Sequence, residues 1–197
     1  MGETVLPGEP PNAAHERSPI GLQRGLVQLV PYSTEWDHLF AVEAAAVRAA
    51  LGDRALQIEH VGSTAVAGMT AKPILDIVVA ILRLSDGPGL VATLLGIGYE
   101  YIPEDPVVDR EFLVKGPPGT RQIHLSLTAP DSACWRSHVR FRDRLRLDPT
   151  IAAEYAALKK RLAARHPADR AAYTAGKAAF IERVLDAALH GDDQHEP

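Results

Sequence analysis

A Gly-Ser pair and the aspartate that follows it are the residues of this sequence best suited to form a binding or catalytic site. Gly62 and Ser63 end a strand-like segment, and Asp76, 13 residues beyond Ser63, interrupts the otherwise apolar run 74–82. Glycine lets a backbone approach a ligand closely, so the N–H groups and hydroxyl of such a turn can bind phosphate. A carboxylate inside a buried strand has to be paired, hydrogen-bonded or bound to a metal. The spacing indicates either one shared site or a turn glycine beside a structural aspartate.

Two histidines lie near these residues. His60 precedes the Gly-Ser turn, and His124 lies in a predicted strand close to Arg121. An imidazole can act as a general base, a metal ligand or a phosphate partner. The alternative is that both are ordinary strand histidines with structural hydrogen bonds.

Two cationic residues fall on apolar helix faces further along the chain. Arg142 and Lys177 occupy positions that helical spacing places toward the core. A core-facing arginine requires a carboxylate or phosphate partner, so Arg142 binds either a ligand or an acid such as Asp143 or Asp76. A lysine in such a position either reaches an anionic ligand or extends its amine to solvent. We expect both side chains to face the site.

The elements that position these residues follow from hydrophobic periodicity. Apolar or alternating runs predict strands over 26–30, 56–61, 74–82, 110–115 and 122–128. Helices are predicted from Thr34 to Gly52, over 88–97, from Asp131, from Asp148-Pro149, and over a last stretch from Tyr173 to Ala188. Strands with interleaved helices, followed by a helical C-terminal third, indicate an α+β (mixed α/β) fold: a mixed sheet with flanking helices.

Composition describes an ordinary globular chain. The 197 residues correspond to about one domain, which we predict at 23–190, after a disordered leader (1–22) and before an acidic tail (191–197). The single cysteine, Cys134, excludes an intramolecular disulfide and a zinc site of several thiolates, as expected of a cytoplasmic protein. No apolar run reaches the ~18–20 residues of a membrane span, so we expect no membrane association.

Charge is unevenly distributed. The net charge is −4, yet the segment from Arg136 to Arg165 contains nine Lys/Arg and three Asp/Glu, a local balance of +6. This asymmetry indicates either an anionic ligand near that segment or a solvated basic helix face. Because the whole chain is acidic, with a pI near 6.1, a nucleic-acid partner is disfavoured, and we expect a small-molecule or nucleotide ligand.

Several motifs together resemble the GrpB family. The segments HVGSTAV (60–66) and KPILDI (72–77) are similar to its hallmark, and further similarities such as VPY (30–32), Trp135 and FRD (141–143) extend over 26–189. The resemblance implies a nucleotidyltransferase-like fold. In that superfamily a Gly-Ser pair holds a nucleoside triphosphate, while an Asp-x-Asp on the next strand and a third acid hold two Mg²⁺ ions for in-line attack.

The match to this pattern is incomplete. Gly62 and Ser63 match the phosphate loop and Asp76 the first carboxylate, but Val78 stands where the second acid belongs. The later strand offers His124 and Ser126 rather than an acid. The resemblance therefore implies at most one weakly bound Mg²⁺, held by Asp76, a histidine and the phosphates of a nucleotide such as ATP.

The resulting expectation is an NTP-dependent transferase acting on a small-molecule metabolite. The alternatives are a degenerate fold that binds a nucleotide or coenzyme-like ligand, and an acyl- or amide-forming enzyme that uses the same pocket. The candidate catalytic residues are Asp76, His60 and His124. The candidate ligand-binding residues are Gly62, Ser63, Thr64, Lys72, Arg121, Arg142 and Lys177.

Overall fold

A computed structural model describes residues 19–192. The strands are β1 (Leu22–Gln23), β2 (Gln57–Val61), β3 (Leu75–Ala80), β4 (Glu100–Tyr101), β5 (Arg110–Lys115), β6 (Thr120–Arg121) and β7 (Ile123–Thr128). The α-helices are α1 (Glu35–Leu51), α2 (Gly87–Leu95), α3 (Ala133–Leu147), α4 (Pro149–Arg165), α5 (Arg170–Ala175) and α6 (Ala178–Asp192). Within this part of the chain, no helix is both long and apolar enough to cross a bilayer.

Five strands form a mixed sheet in the order β2-β3-β7-β5-β4. β3 runs parallel to β7, while the β2–β3, β7–β5 and β5–β4 pairs are antiparallel. The register places Val61 opposite Asp76, and Asp76 opposite His124. The end of β2, the start of β3 and the start of β7 therefore meet at one edge of the sheet. The short strands β1 and β6 pair separately.

The two faces of the sheet pack against different helices. Side chains alternate between faces along a strand, and Leu75, Ile77 and Val79 join the large apolar core that includes residues of α1 and α2. On the other face, Val78 packs in a cluster with Trp135 of α3. Asp76 shares the parity of Val78, so its carboxylate lies on the side that the C-terminal helices cover.

The C-terminal helices begin at residues whose side chains cap them. A side-chain oxygen of each cap accepts hydrogen bonds from N–H groups of the first turn, which have no partner within the helix. The caps are Ser132 for α3, Asp148 for α4 and Asp169 for α5. The helices share an apolar cluster with two residues that follow β2, Val66 and Met69. The helix residues of this cluster include Phe141, Leu145, Tyr155 and Val184.

The N-terminal part of the fold differs from its sequence-based prediction. The strand predicted over 26–30 is wrong: only Val30 pairs, in an isolated bridge with Ala71, because Leu26 closes a turn onto Gln23 and Pro31 lacks an N–H. Residues 19–22 belong to the fold rather than to a leader, since Ile20 is buried and β1 pairs with β6. Residues 1–18 of the predicted leader lie outside the described residues.

The C-terminal boundaries also differ from the prediction. The last helix is two helices, α5 and α6, separated at Gly176 and Lys177. A Cβ at position 176 would lie 2.5 Å from Leu162 Cδ2, so glycine permits close packing of this junction against α4. Gly191 and Asp192, predicted as tail, are helical, and 193–197 lie outside the described residues. At the start of α1, Ser33 Oγ accepts a hydrogen bond from Glu35 N at 3.3 Å.

Candidate functional site

A cavity of about 370 Å³ lies between the sheet face that carries Asp76 and the helices α3 to α6. Its strand-side wall includes the Gly62-Ser63-Thr64 turn and side chains of β3, β5 and β7. Its helix-side wall comes from all four C-terminal helices. The residues that determine its chemistry are Gly62, Ser63, Lys72, Asp76, Phe112, His124, His138, Lys159, Arg170, Tyr173 and Lys177.

The Gly62-Ser63 turn packs directly against Asp76. Gly62 has φ +70°, a conformation that L side chains rarely adopt, and a Cβ there would lie 2.4 Å from Asp76 Oδ2. Ser63 follows in a short 3₁₀ turn, Ser63–Ala65. The glycine therefore serves both the turn and the close approach of backbone and carboxylate, and the predicted proximity of Gly62, Ser63 and Asp76 is found.

Lys159 of α4 is bound to this turn. Its Nζ donates hydrogen bonds to Ser63 Oγ at 2.9 Å and to the Thr70 carbonyl oxygen at 2.5 Å, and lies 4.9 Å from the centre of the Tyr155 ring. The residue is only 2% exposed. Burial, with the positive charge of Lys177 second, lowers the pKa of Lys159 to about 7. The amine is thus fixed beside the serine hydroxyl.

Asp76, His124 and Arg170 form a hydrogen-bonded chain across β3, β7 and α5. The distances are 2.9 Å from Asp76 Oδ1 to His124 Nδ1 and 2.9 Å from Arg170 Nη2 to His124 Nε2. A guanidinium can only donate, so Nε2 is the acceptor and the neutral ring donates from Nδ1 to Asp76. Enclosure by protein alone would raise the pKa of Asp76, but the hydrogen bond from His124, together with the charge of Lys72, lowers it to about 2. Asp76 is therefore ionised.

Cationic side chains outnumber acids in the cavity wall. Lys72 and Lys177 both lie over the Tyr173 ring, at 5.3 and 4.8 Å from its centre. Among residues 19–187, whose side chains the structure describes, no carboxylate lies within 4 Å of the charged nitrogens of Lys72, Lys159, Arg170 or Lys177. Burial, and then the charges of Arg170 and Lys177, lower the pKa of Lys72 to about 8. Such mutual repulsion is relieved when an anion binds.

His60 does not reach the cavity, contrary to the prediction. It lies opposite Ile77 in the β2–β3 register, so it faces α1 on the other side of the sheet. There its ring stacks on Phe40 at 4.8 Å, and Nε2 bonds to Thr64 Oγ1 at 3.0 Å. Thr64 contributes to the cavity wall, but its hydroxyl is engaged by His60 and lies 3.4 Å from the Ile74 carbonyl oxygen.

Two predicted ligand-binding arginines form structural ion pairs instead. Arg142 Nη1 donates to Glu59 at 2.6 Å and to the His60 carbonyl oxygen at 2.9 Å, and its Nε donates to Asp143 at 2.8 Å. The pairing with Asp143 was the alternative prediction. Arg121 donates to Glu100, and neither arginine is among the residues that line the cavity. Their carboxylate partners satisfy the guanidinium groups, so no ligand is required.

The structure adds residues that the sequence analysis missed. Lys159 lies four residues after Tyr155, on the same helix face, and this spacing was an available signal. The sequence context of His138 predicts a surface residue, yet it lies three residues after the buried Trp135 and lines the cavity. Arg170, the first residue of α5, had no comparable signal, because its position depends on where that short helix docks.

The donor set does not fit a resident pair of metal ions. Among residues 19–192, no three His, Cys, Asp or Glu side chains converge on one point. Val78 is fully buried in the cluster with Trp135, and Glu59 is paired with Arg142. Glu111 lies opposite Leu127 and accepts a hydrogen bond from Tyr101. Asp76 is therefore the only carboxylate among the described residues of the cavity wall, whereas bridging acids are required for two ions.

Comparisons with known proteins identify the family of this chain. The model of the GrpB protein family matches residues 26–187. A UPF0157 protein of Pseudomonas aeruginosa is 44% identical over 83% of this chain and 68% of its own length. The glutamate-rich protein GrpB of Alkalihalophilus pseudofirmus is 32% identical over 85% of this chain and 98% of its own length. A dephospho-CoA kinase of Mycolicibacterium paratuberculosis is 31% identical over 83% of this chain, which spans 46% of that enzyme.

Solved structures extend the comparison to the fold. The crystal structure of GrpB from Enterococcus faecalis superposes with a TM-score of 0.76 and 35% identity, over 83% of this chain and 98% of that one. A chain of the GLD-2/RNP-8 complex superposes with a TM-score of 0.50 over 77% of this chain and 60% of its own, and at 13% identity this likeness concerns the fold alone. The chain therefore belongs to the GrpB family and has a nucleotidyltransferase-like fold.

Proposed function

We propose that the cavity binds the phosphates of a nucleoside triphosphate and that the protein transfers the nucleotidyl group to a small-molecule metabolite. The observation that carries this proposal is the group of four cationic side chains, Lys72, Lys159, Arg170 and Lys177, around a Gly-Ser turn. None of the four has an acidic partner among the side chains of residues 19–187. A polyphosphate supplies the negative charge that this arrangement lacks.

Each part of the cavity has a role in this scheme. The Ser63 hydroxyl and the Lys159 amine, already hydrogen-bonded to each other, bind phosphate oxygens at the turn. Lys177 neutralises charge on the leaving pyrophosphate. Asp76 and Arg170 hold His124 in one orientation from its two ring nitrogens. Because these groups are fixed before the ligand arrives, little ordering is needed on binding.

Magnesium enters this proposal only together with the ligand. One carboxylate beside several cations is a weak site for a hard divalent ion. Asp76, whose side chain is 40% exposed, and the phosphates of a nucleotide would hold a single Mg²⁺. Such an ion would draw charge from the phosphates, and the roles of the side chains described here do not depend on it.

A ligand-binding module is the second candidate. It is favoured by Val78, which is buried at the position of the missing second acid and leaves Asp76 without a neighbouring carboxylate on β3. In this case the cavity would hold a nucleotide or coenzyme-like molecule without turnover. The match to part of a dephospho-CoA kinase makes adenine nucleotides and coenzyme A precursors the first ligands to test.

The test is ligand-induced stabilisation, measured by thermal shift with ATP, CTP, GTP, UTP and tripolyphosphate, each with and without Mg²⁺. A ligand at ~100 times its Kd stabilises the folded state by roughly 2.7 kcal/mol. We expect Lys159→Met to abolish the stabilisation, whereas the matched variant of the exposed neighbour, Lys160→Met, retains it. Equal responses of the two variants, or no response of the unmodified protein, would contradict the phosphate site.

A second measurement separates the two candidates. Release of pyrophosphate from a bound nucleoside triphosphate, in the presence of a hydroxyl-bearing acceptor or of water, indicates nucleotidyl transfer. Binding without release indicates the ligand-binding module.

A further inference from the structure

His138 differs from the other histidines near the site in how its ring nitrogens are used. His124 has both nitrogens engaged, by Asp76 and Arg170, and His60 lies on the opposite face of the sheet. His138 extends from α3 into the cavity wall, and its Nδ1 lies 2.7 Å from the Cys134 carbonyl oxygen. The structure thus brings a second imidazole to the site, beside that of His124.

The hydrogen bond to Cys134 fixes the tautomer of this imidazole. A carbonyl oxygen only accepts, so Nδ1 donates, and the neutral ring keeps its lone pair on Nε2. Among the described side chains of residues 19–187, Nε2 of His138 has no hydrogen-bond partner. Every fully buried side-chain nitrogen of these residues does have one. Nε2 therefore has accessible surface, and the lone pair is available to a molecule in the cavity.

His138 and Asp76 line the same cavity, His138 from the helix side and Asp76 from the sheet side. An ionised carboxylate in the same cavity favours the positive charge that a base acquires when it takes a proton. Among the described residues, the sheet side of the cavity offers no unpaired base, because Asp76 and His124 are bonded to each other and Glu59, which is bound by Arg142, does not line the cavity.

We propose that His138 is the general base of the reaction. In this step Nε2 takes the proton from the acceptor hydroxyl as that oxygen forms a bond to the α-phosphorus of the bound nucleotide. The bond from the α-phosphorus to the bridging oxygen breaks, and pyrophosphate leaves with the electron pair. The imidazolium then returns its proton to solvent. The proposal rests on the proposed nucleotidyl transfer and identifies the acceptor as a hydroxyl compound.

The availability of Nε2 can be tested without turnover. Diethyl pyrocarbonate acylates an imidazole nitrogen that has a free lone pair, and peptide mass spectrometry locates the product. We expect His138 to be labelled faster than His124, whose ring nitrogens are both engaged, and faster than His60, which is buried. We expect ATP to protect His138. Labelling of His138 no faster than of His124, or equal labelling with and without ATP, would overturn the assignment.

The catalytic role is tested by pyrophosphate release from ATP, with water as the acceptor. General-base catalysis typically contributes ~10²–10⁴-fold, so His138→Ala should lower kcat by at least ~100-fold with little change in the KM for ATP. Added imidazole should restore part of the rate, which a purely structural defect would not allow. The control is His38→Ala, at an exposed position of α1.

The outcomes separate this proposal from the one on which it rests. If neither ATP nor tripolyphosphate binds, the proposed function itself is wrong. If pyrophosphate is released and His138→Ala releases it at the same rate, only the role of His138 is wrong. If ATP binds but no pyrophosphate is released, there is no transfer reaction and no general base, and the ligand-binding module is the remaining function.

Discussion

At the scale of single residues, Gly62 has no side chain, and its backbone can therefore lie directly against the Asp76 carboxylate. Both the positive φ and the proximity of Asp76 Oδ2 exclude a Cβ at this position without rearrangement. Gly68, six residues later, has a similar φ of +75°, but a Cβ there would have no atom within 4 Å. A substitution at Gly68 therefore tests backbone strain alone, whereas one at Gly62 tests strain together with the contact with Asp76.

We predict that Gly62→Ala and Gly68→Ala both lower the free energy of unfolding by ~1–3 kcal/mol through strain. Gly62→Ala should lose more, because Asp76 must also move away from the turn. Urea denaturation measures the difference, and thermal shift with ATP should detect ligand binding only in Gly68→Ala. Similar results for the two variants would show that the Asp76 contact is unimportant.

Sequence reasoning at this scale depends on which features are local. Glycine and serine at the end of an apolar segment indicated the turn, and Asp76 in an apolar strand indicated a polar partner. The face of His60 was not predictable, because a shift of one residue in register moves a side chain to the opposite face of a sheet. Arg170 reaches the site through the docking of α5, which local patterns do not specify, whereas the spacing of Lys159 from Tyr155 on α4 was an available signal.

At the scale of elements, Arg142 joins α3 to β2. Its side chain is 6% exposed and binds Glu59 and the His60 carbonyl oxygen on β2, together with Asp143 on its own helix. The carboxylates are partly exposed, at 38% and 44%, which weakens the pairs relative to fully buried ones. The arginine nevertheless satisfies a buried backbone carbonyl.

We predict that Arg142→Met lowers the free energy of unfolding by ~1–3 kcal/mol, since one buried carbonyl and two carboxylates lose their donor. Chemical denaturation should detect this loss equally with and without ATP, because Arg142 does not line the cavity. Arg140→Met, at an exposed position of the same helix, should change stability little. Loss of the ATP response in Arg142→Met alone would instead indicate a ligand-binding role.

The elements themselves were largely predictable where periodicity was strong. The strands β2, β3, β5 and β7 and the helices α1 to α4 lie within a few residues of the predicted ranges. The prediction of a single last helix was wrong because Tyr173, Lys177 and Phe180 keep helical spacing across the junction in the sequence. The packing of Gly176 against Leu162 is a tertiary contact, and it separates α5 from α6.

At the scale of the whole molecule, acid should weaken the fold through His60. Burial lowers the pKa of His60 to about 4, although the nearby carboxylates of Asp76 and Asp37 oppose the shift. In the unfolded chain the pKa returns to ~6.5. Below that value the unfolded state binds a proton that the folded state excludes. The contribution of His60 is therefore fully present above pH 6.5 and is lost as the pH falls toward 4.

We predict that His60→Gln, which keeps a polar group near Thr64 but does not titrate, makes stability less sensitive to acid. Between pH 7 and pH 5, the unmodified protein should lose ~2 kcal/mol more than the variant. Urea denaturation at the two pH values gives the comparison. Equal losses for the two proteins would mean that His60 can be protonated within the folded state.

The order of the elements has a consequence for synthesis on the ribosome. Strand β7 ends at Thr128, so the sheet residues Asp76 and His124 are present in the growing chain before any of the C-terminal helices. The chain then adds three of the four cationic residues of the cavity wall: Lys159, Arg170 and Lys177. Under the proposed function, a nucleotide would fully engage these side chains only in a chain extended beyond Lys177, and it would give no assistance to the sheet while that sheet first assembles.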